Sequence, residues 1–218
     1  MLLRHTAYTT NLTHQGDFRV TSTMFSKEIR ECTVGILGCG RIGLTTAKLF
    51  KGLGAKVVGY DVYQSEAAKQ VVEFLPLDEF LKQSDIISCH MPYIKGQNEN
   101  FINEEFISKM KDNAILVNTA RGEVLDLEAA VKAIENNKLD GLAIDVIANE
   151  KSLFFKNFEN GKMDTPLHQK LIDLYPRILI TPHVASSTDK ALNDMIEVSL
   201  QNMDEYLNTG KCKNSLIK

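Results

Sequence analysis

Three glycines stand at fixed spacing in Gly38-Cys39-Gly40-Arg41-Ile42-Gly43, directly after an apolar run and at the start of a stretch with helical periodicity. In that setting each glycine has its own task. The first permits a tight turn, the second lets backbone approach a pyrophosphate, and the third lets helix pack closely on strand. A helix N-terminus also presents unpaired N–H groups and a positive dipole end, so Arg41 and Ile42 read as main-chain donors to phosphate. Asp61 ends the next apolar run, 18 residues after Gly43. A carboxylate there can accept from both hydroxyls of an adenosine ribose and would repel a 2′-phosphate; no basic residue follows closely, so the spacing favours NAD over NADP. The bland alternative is an ordinary loop aspartate beside a glycine-rich turn. The strand before the glycines and the helix after them argue against it.

These residues need a scaffold, and the pattern supplies one. Residues 32–37, 55–60, 85–89, 114–117, 142–146 and 177–181 are short apolar runs that read as strands, with a further short strand at 71–74. Helical spacing appears at 42–53, 77–83, 127–136 and 191–207. Alternating strands and helices, with strands apolar throughout, predict an α/β fold: a doubly wound parallel sheet covered on both faces. Residues 150–166 carry aromatics, asparagine and glycine without a clear period, and read as an ordered excursion.

The bulk properties narrow the function classes. The chain has 218 residues, 44% hydrophobic and 24% charged, with formal net charge −3. That is ordinary for a globular protein and gives no basic surface for nucleic acid. No apolar stretch is long enough to span a bilayer, and the opening Met1-Leu2-Leu3-Arg4-His5 lacks the pattern of a signal peptide. Cys32, Cys39, Cys89 and Cys212 form no C-x-x-C pair, which weakens zinc and redox readings and fits a reducing cytoplasm. No metal site is expected.

The segments TVGILGCGRIG, AKVVGYDVY, DIISCHMP, MKDNAILVNTARGEVLD, GLAIDV and ITPHVA run in one order along nearly the whole chain. On these the sequence resembles the D-isomer-specific 2-hydroxyacid dehydrogenases, and among them the D-lactate and (R)-2-hydroxyisocaproate branch. The excursion containing Phe154-Phe155-Lys156-Asn157-Phe158 is similar to that branch. The resemblance implies a Rossmann NAD-binding domain and reversible hydride transfer between NADH and a small 2-oxo acid. It implies that Arg121 grips the substrate carboxylate, a task suited to a forked guanidinium. It implies that His183 is the catalytic acid and that Glu150 stabilises its protonated form. Cofactor contacts carried over are Gly38, Gly40, Arg41, Ile42, Gly43, Asp61, Met91, Pro92, Asn98, Thr119, Ala120, Arg121 and Asp145. His90 reads as a structural strand-end residue.

The expected organisation is a connecting helix and linker over 1–20, the NAD-binding domain over 21–187, and a long helix and tail over 188–218 returning toward a substrate domain. Only remnants of that second domain are expected, because the opening residues resemble a connecting helix already under way. The expectation is therefore of a chain that binds NAD and catalyses poorly, and that forms a homodimer. Two alternatives stay open: an NAD-sensing corepressor-type binding protein, and an isolated cofactor-binding fragment without activity.

Overall fold

The computed structural model describes residues 1–215. Seven strands form one sheet: β1 Thr33–Leu37, β2 Lys56–Tyr60, β3 Glu73–Phe74, β4 Ile86–Cys89, β5 Ala114–Asn118, β6 Leu139–Ile144 and β7 Ile178–Ile180. Their order is β3-β2-β1-β4-β5-β6-β7, and every pairing is parallel. Val34, Ile36, Ile87, Leu116 and Leu142 are fully buried, as expected of strands covered on both faces. The helices are α1 Thr6–His14, α2 Arg41–Gly52, α3 Glu66–Lys69, α4 Leu77–Gln83, α5 Glu104–Lys109, α6 Leu127–Glu135, α7 Pro166–Asp173 and α8 Asp189–Thr209. The fold is the doubly wound one that the strand–helix alternation predicts.

The sheet order creates the feature that matters for function. From β1 the chain winds outward through β2 and β3, then crosses back to place β4 on the other side of β1. The loops leaving β1 and β4 therefore diverge, and a crevice opens at the carboxyl ends of these strands. The chain divides into two compact units, Met1–Pro182 with the whole sheet and His183–Lys218 with α8.

Several elements differ from the sequence expectation. β6 begins at Leu139, three residues early, and ends at Ile144. Leu139 is fully buried and pairs with Ala114, across a register shift that the apolar pattern does not reveal. Helices α3, α5 and α7 were not anticipated; each is short and is started by a side-chain cap, from Ser65, Asn103 and Thr165 respectively. The opening residues are not one continuous helix. His5 takes a left-handed conformation, separating a 3-10 turn at Leu2–Arg4 from α1. Within α1 the hydroxyls of Thr9, Thr10 and Thr13 bond back to carbonyls one turn earlier.

Candidate functional site

The glycine loop shows why each glycine is present. Gly38 has φ +93°, and a Cβ there would lie 2.6 Å from the Met91 backbone nitrogen. It is thus both a left-handed turn residue and the point where the β1 and β4 loops touch. A Cβ on Gly43 would lie 2.1 Å from the Gly38 carbonyl oxygen, so helix α2 can start this close to its strand only with glycine. Gly40 is different. Its φ is −74°, and a Cβ there would meet nothing within 4 Å. Among the described residues nothing demands glycine at this position.

Gly40 is also the N-cap of α2, with no side-chain cap and no acidic residue in the first turn. Helices α1 and α4 likewise have no side-chain cap, whereas α3, α5, α6, α7 and α8 are each capped by a side chain. The first amides of a helix have no intrahelical acceptor. At α2 they face a bare glycine turn, the arrangement that suits a diphosphate.

Asp61 follows β2. Its Oδ2 accepts from the Cys39 amide at 2.7 Å and its Oδ1 from the Tyr63 amide at 2.9 Å. Each oxygen keeps a further lone pair, so the carboxylate is oriented by the loop and can still accept from a ribose. The neighbouring Cys39 thiol is pushed up to about 12 by burial and then by the Asp61 charge. Burial pushes Cys89 up to about 11. Neither is a thiolate near neutral pH.

A cleft of about 320 Å³ lies at the crevice, lined by Ile42, His90, Met91, Pro92, Tyr93, Thr119, Ala120 and Arg121. Six predicted contacts, Ile42, Met91, Pro92, Thr119, Ala120 and Arg121, therefore meet in one place although they come from three separate loops. Ile42 is 73% exposed on the first turn of α2, an apolar side chain that does not join the core. His90 is engaged with the Ser88 hydroxyl at 2.9 Å, and burial lowers its pKa from the ordinary histidine value.

Arg121 is placed by two residues, Asn118 and Gly122, to which the sequence reading gives no role of their own. Asn118 ends β5 fully buried; its Oδ1 accepts from the Ala120 amide at 3.1 Å and its Nδ2 donates to the Arg121 carbonyl at 2.9 Å. This staples the turn that presents the guanidinium, which is itself exposed and donates to the Ala120 carbonyl at 2.7 Å. Gly122 then lets the turn press against the loop after β6, because a Cβ there would lie 1.9 Å from the Ile147 carbonyl carbon. The signal for both was an asparagine and a glycine flanking an arginine at a strand end.

Asp145 follows β6, is buried, and accepts from the Thr181 hydroxyl at 2.5 Å. Glu150 opens a 3-10 turn, Glu150–Ser152, directly after the left-handed Asn149. Asn98 lies outside the lining of the cleft, with its side chain bonded to Pro92 and Ile94 of its own loop. His183 begins the second unit, exposed and with φ +53°. Among the described residues, no group of three or more histidine, cysteine or acidic side chains could hold a metal ion. No helix there is long and apolar enough to cross a membrane.

Comparison with known proteins agrees with this geometry. The family described as "D-isomer specific 2-hydroxyacid dehydrogenase, NAD binding domain" matches residues 1–185. An aromatic 2-oxoacid reductase of Clostridium sporogenes is 38% identical over 191 residues, covering 87% of this chain and 57% of the relative. A D-lactate dehydrogenase of Treponema pallidum is 39% identical over 211 residues, covering 97% and 63%. The crystal structure of D-lactate dehydrogenase with NAD+ from Lactobacillus jensenii superimposes with a TM-score of 0.89 at 33% identity, over 100% of this chain and 64% of that one. The chain thus spans about three fifths of the length of these relatives. The sheet order and the family match over residues 1–185 identify the chain as a member of the D-isomer-specific 2-hydroxyacid dehydrogenases, carrying their NAD-binding domain.

Proposed function

We propose that the chain serves an NAD-dependent D-2-hydroxyacid dehydrogenase, similar to a D-lactate dehydrogenase, that interconverts a small 2-oxo acid and its D-2-hydroxy acid. The observation that carries this reading is the single cleft at the sheet's switch point, where the uncapped α2 turn meets Arg121. NADH, when bound, supplies the hydride. Gly40, Arg41 and Ile42 hold its diphosphate, Asp61 its adenosine ribose, and Met91, Pro92, Thr119, Ala120 and Asp145 its remaining length. Arg121 binds both oxygens of the substrate carboxylate and so fixes which face of the carbonyl is presented. By the family resemblance His183 would deliver a proton to the carbonyl oxygen, with Glu150 as its carboxylate partner. The names of the relatives, one acting on aromatic 2-oxo acids and one on D-lactate, support the 2-oxo acid class and leave pyruvate and larger acids as candidates.

We also propose a cytoplasmic homodimer. An open apolar groove of about 470 Å³, lined by Phe50, Ile86, Ile115, Val117 and Leu179 among others, supports self-association. So does the exposed stripe Leu192, Ile196, Met203 and Tyr206 along α8.

Fluorescence titration with NADH and NADPH tests the cofactor half of the reading. NADH should bind at least about tenfold more tightly, because Asp61 repels the 2′-phosphate. Equal affinity for the two, or no binding of either, would overturn it.

A further inference from the structure

The loop between β4 and α5 contains a device that the family roles above do not explain. The Asn98 side chain spans its neck. Nδ2 donates to the Pro92 carbonyl at 2.7 Å, and Oδ1 accepts from the Ile94 amide at 2.7 Å. The two bridged residues flank Tyr93, whose ring lines the cofactor cleft beside Met91 and Pro92. The Tyr93 hydroxyl donates to Glu99, the residue after Asn98. That carboxylate pushes the phenol up to about 12, so it remains a donor throughout the neutral range. Beyond Glu99 the loop is anchored, since the Asn100 amide donates to the Glu123 carbonyl at 2.9 Å. Its tip, Lys95-Gly96, is exposed and turns through φ +74° at Gly96.

We infer that Asn98 and the Tyr93–Glu99 pair form a latch that holds the Met91–Pro92–Tyr93 wall of the cleft in its cofactor-binding shape. In this role Asn98 is a positioning residue and not itself a cofactor contact. An asparagine amide offers one acceptor oxygen and two N–H donors. Here the oxygen and one donor are committed on either side of the wall residue, which fixes the backbone between them. A wall fixed before binding removes the ordering cost that a mobile loop would impose on the ligand. The inference rests on the proposed NAD site and deepens it.

The test uses Asn98→Ala and Tyr93→Phe in the full chain, with three readouts: NADH affinity, melting temperature, and the rate of tryptic cleavage after Lys95 followed by intact mass. Asn98→Ala should weaken NADH about tenfold and speed cleavage at Lys95 several-fold, with the melting temperature nearly unchanged. Tyr93→Phe keeps the ring and loses only the hydroxyl, so it should move both readouts the same way and less far. Faster cleavage with unchanged NADH affinity would overturn the latch as a cofactor device. Weaker NADH with unchanged cleavage would overturn it too, and would make Asn98 a direct contact. Failure of the unaltered chain to bind NADH would instead sink the proposed cofactor site and with it the cofactor role of the latch, whatever the proteolysis shows.

Discussion

Backbone conformation separates residues that suit their place from residues held there. Asn100, Asn113, Asn137, Asn149 and Asn160 all take positive φ, which asparagine tolerates better than other residues with a side chain. Histidine is likewise enriched there, and His5 and His183 take it at φ +45° and +53°. Phe155 shares the region at φ +64° without the same excuse. Phe155 is 91% exposed and has no packing to offset the cost. Phe155→Asn should therefore stabilise the chain by about 1 kcal/mol in urea denaturation. A loss of stability would mean that the ring makes a contribution its exposure conceals.

Elements explain how three loops deliver their residues to one cleft. The turn after β5 is the clearest case. Asn118 staples it from within, and Gly122 lets it lie against the loop after β6. Gly122→Ala should cost about 1–3 kcal/mol and weaken NADH binding, because the methyl would push the Arg121 turn away from its neighbour. Denaturation and NADH titration of that variant check both halves. Sequence made the long elements legible: apolar runs such as Val34–Leu37 and Ala114–Val117 read as buried strands by their length and their alternation with helices, and α6 has its apolar residues three and four apart. The short helices α3, α5 and α7 were not legible, because four to eight residues carry too little periodicity and their capping residues also occur in loops. The early start of β6 depends on pairing with Ala114, a tertiary fact. At the site, Gly38 to Gly43 and Asp61 were readable because their spacing has a mechanism. Asn118, Tyr93 and Glu99 were not, because their roles are hydrogen bonds made inside folded loops.

For the molecule as a whole, the sheet's amino-terminal edge carries an electrostatic clamp far from the chemistry. Asp85 accepts from the Thr33 amide at 2.8 Å and from Lys27 and Lys111 at 3.1 and 2.7 Å. Partial burial disfavours its charge, but these partners outweigh that effect and hold its pKa below the ordinary value. A carboxylate with a depressed folded-state pKa adds stability that is complete above the unfolded value, near 4, and is lost as pH falls through the folded value. Asp85→Asn should lower stability at pH 7, and its deficit relative to the unaltered chain should narrow as pH falls below about 4. A deficit independent of pH would show that the ionised form is not what matters.

The central claim is that in the turn at the switch point Gly38 and Gly43 serve the protein's own packing, whereas Gly40 serves NAD and not that packing. Gly40→Ala isolates it, since the added methyl meets nothing in the protein. NADH titration of Gly40→Ala beside the unaltered chain should show at least about tenfold weaker binding, while stability changes by less than about 1 kcal/mol. Unchanged NADH affinity at unchanged stability would contradict the account.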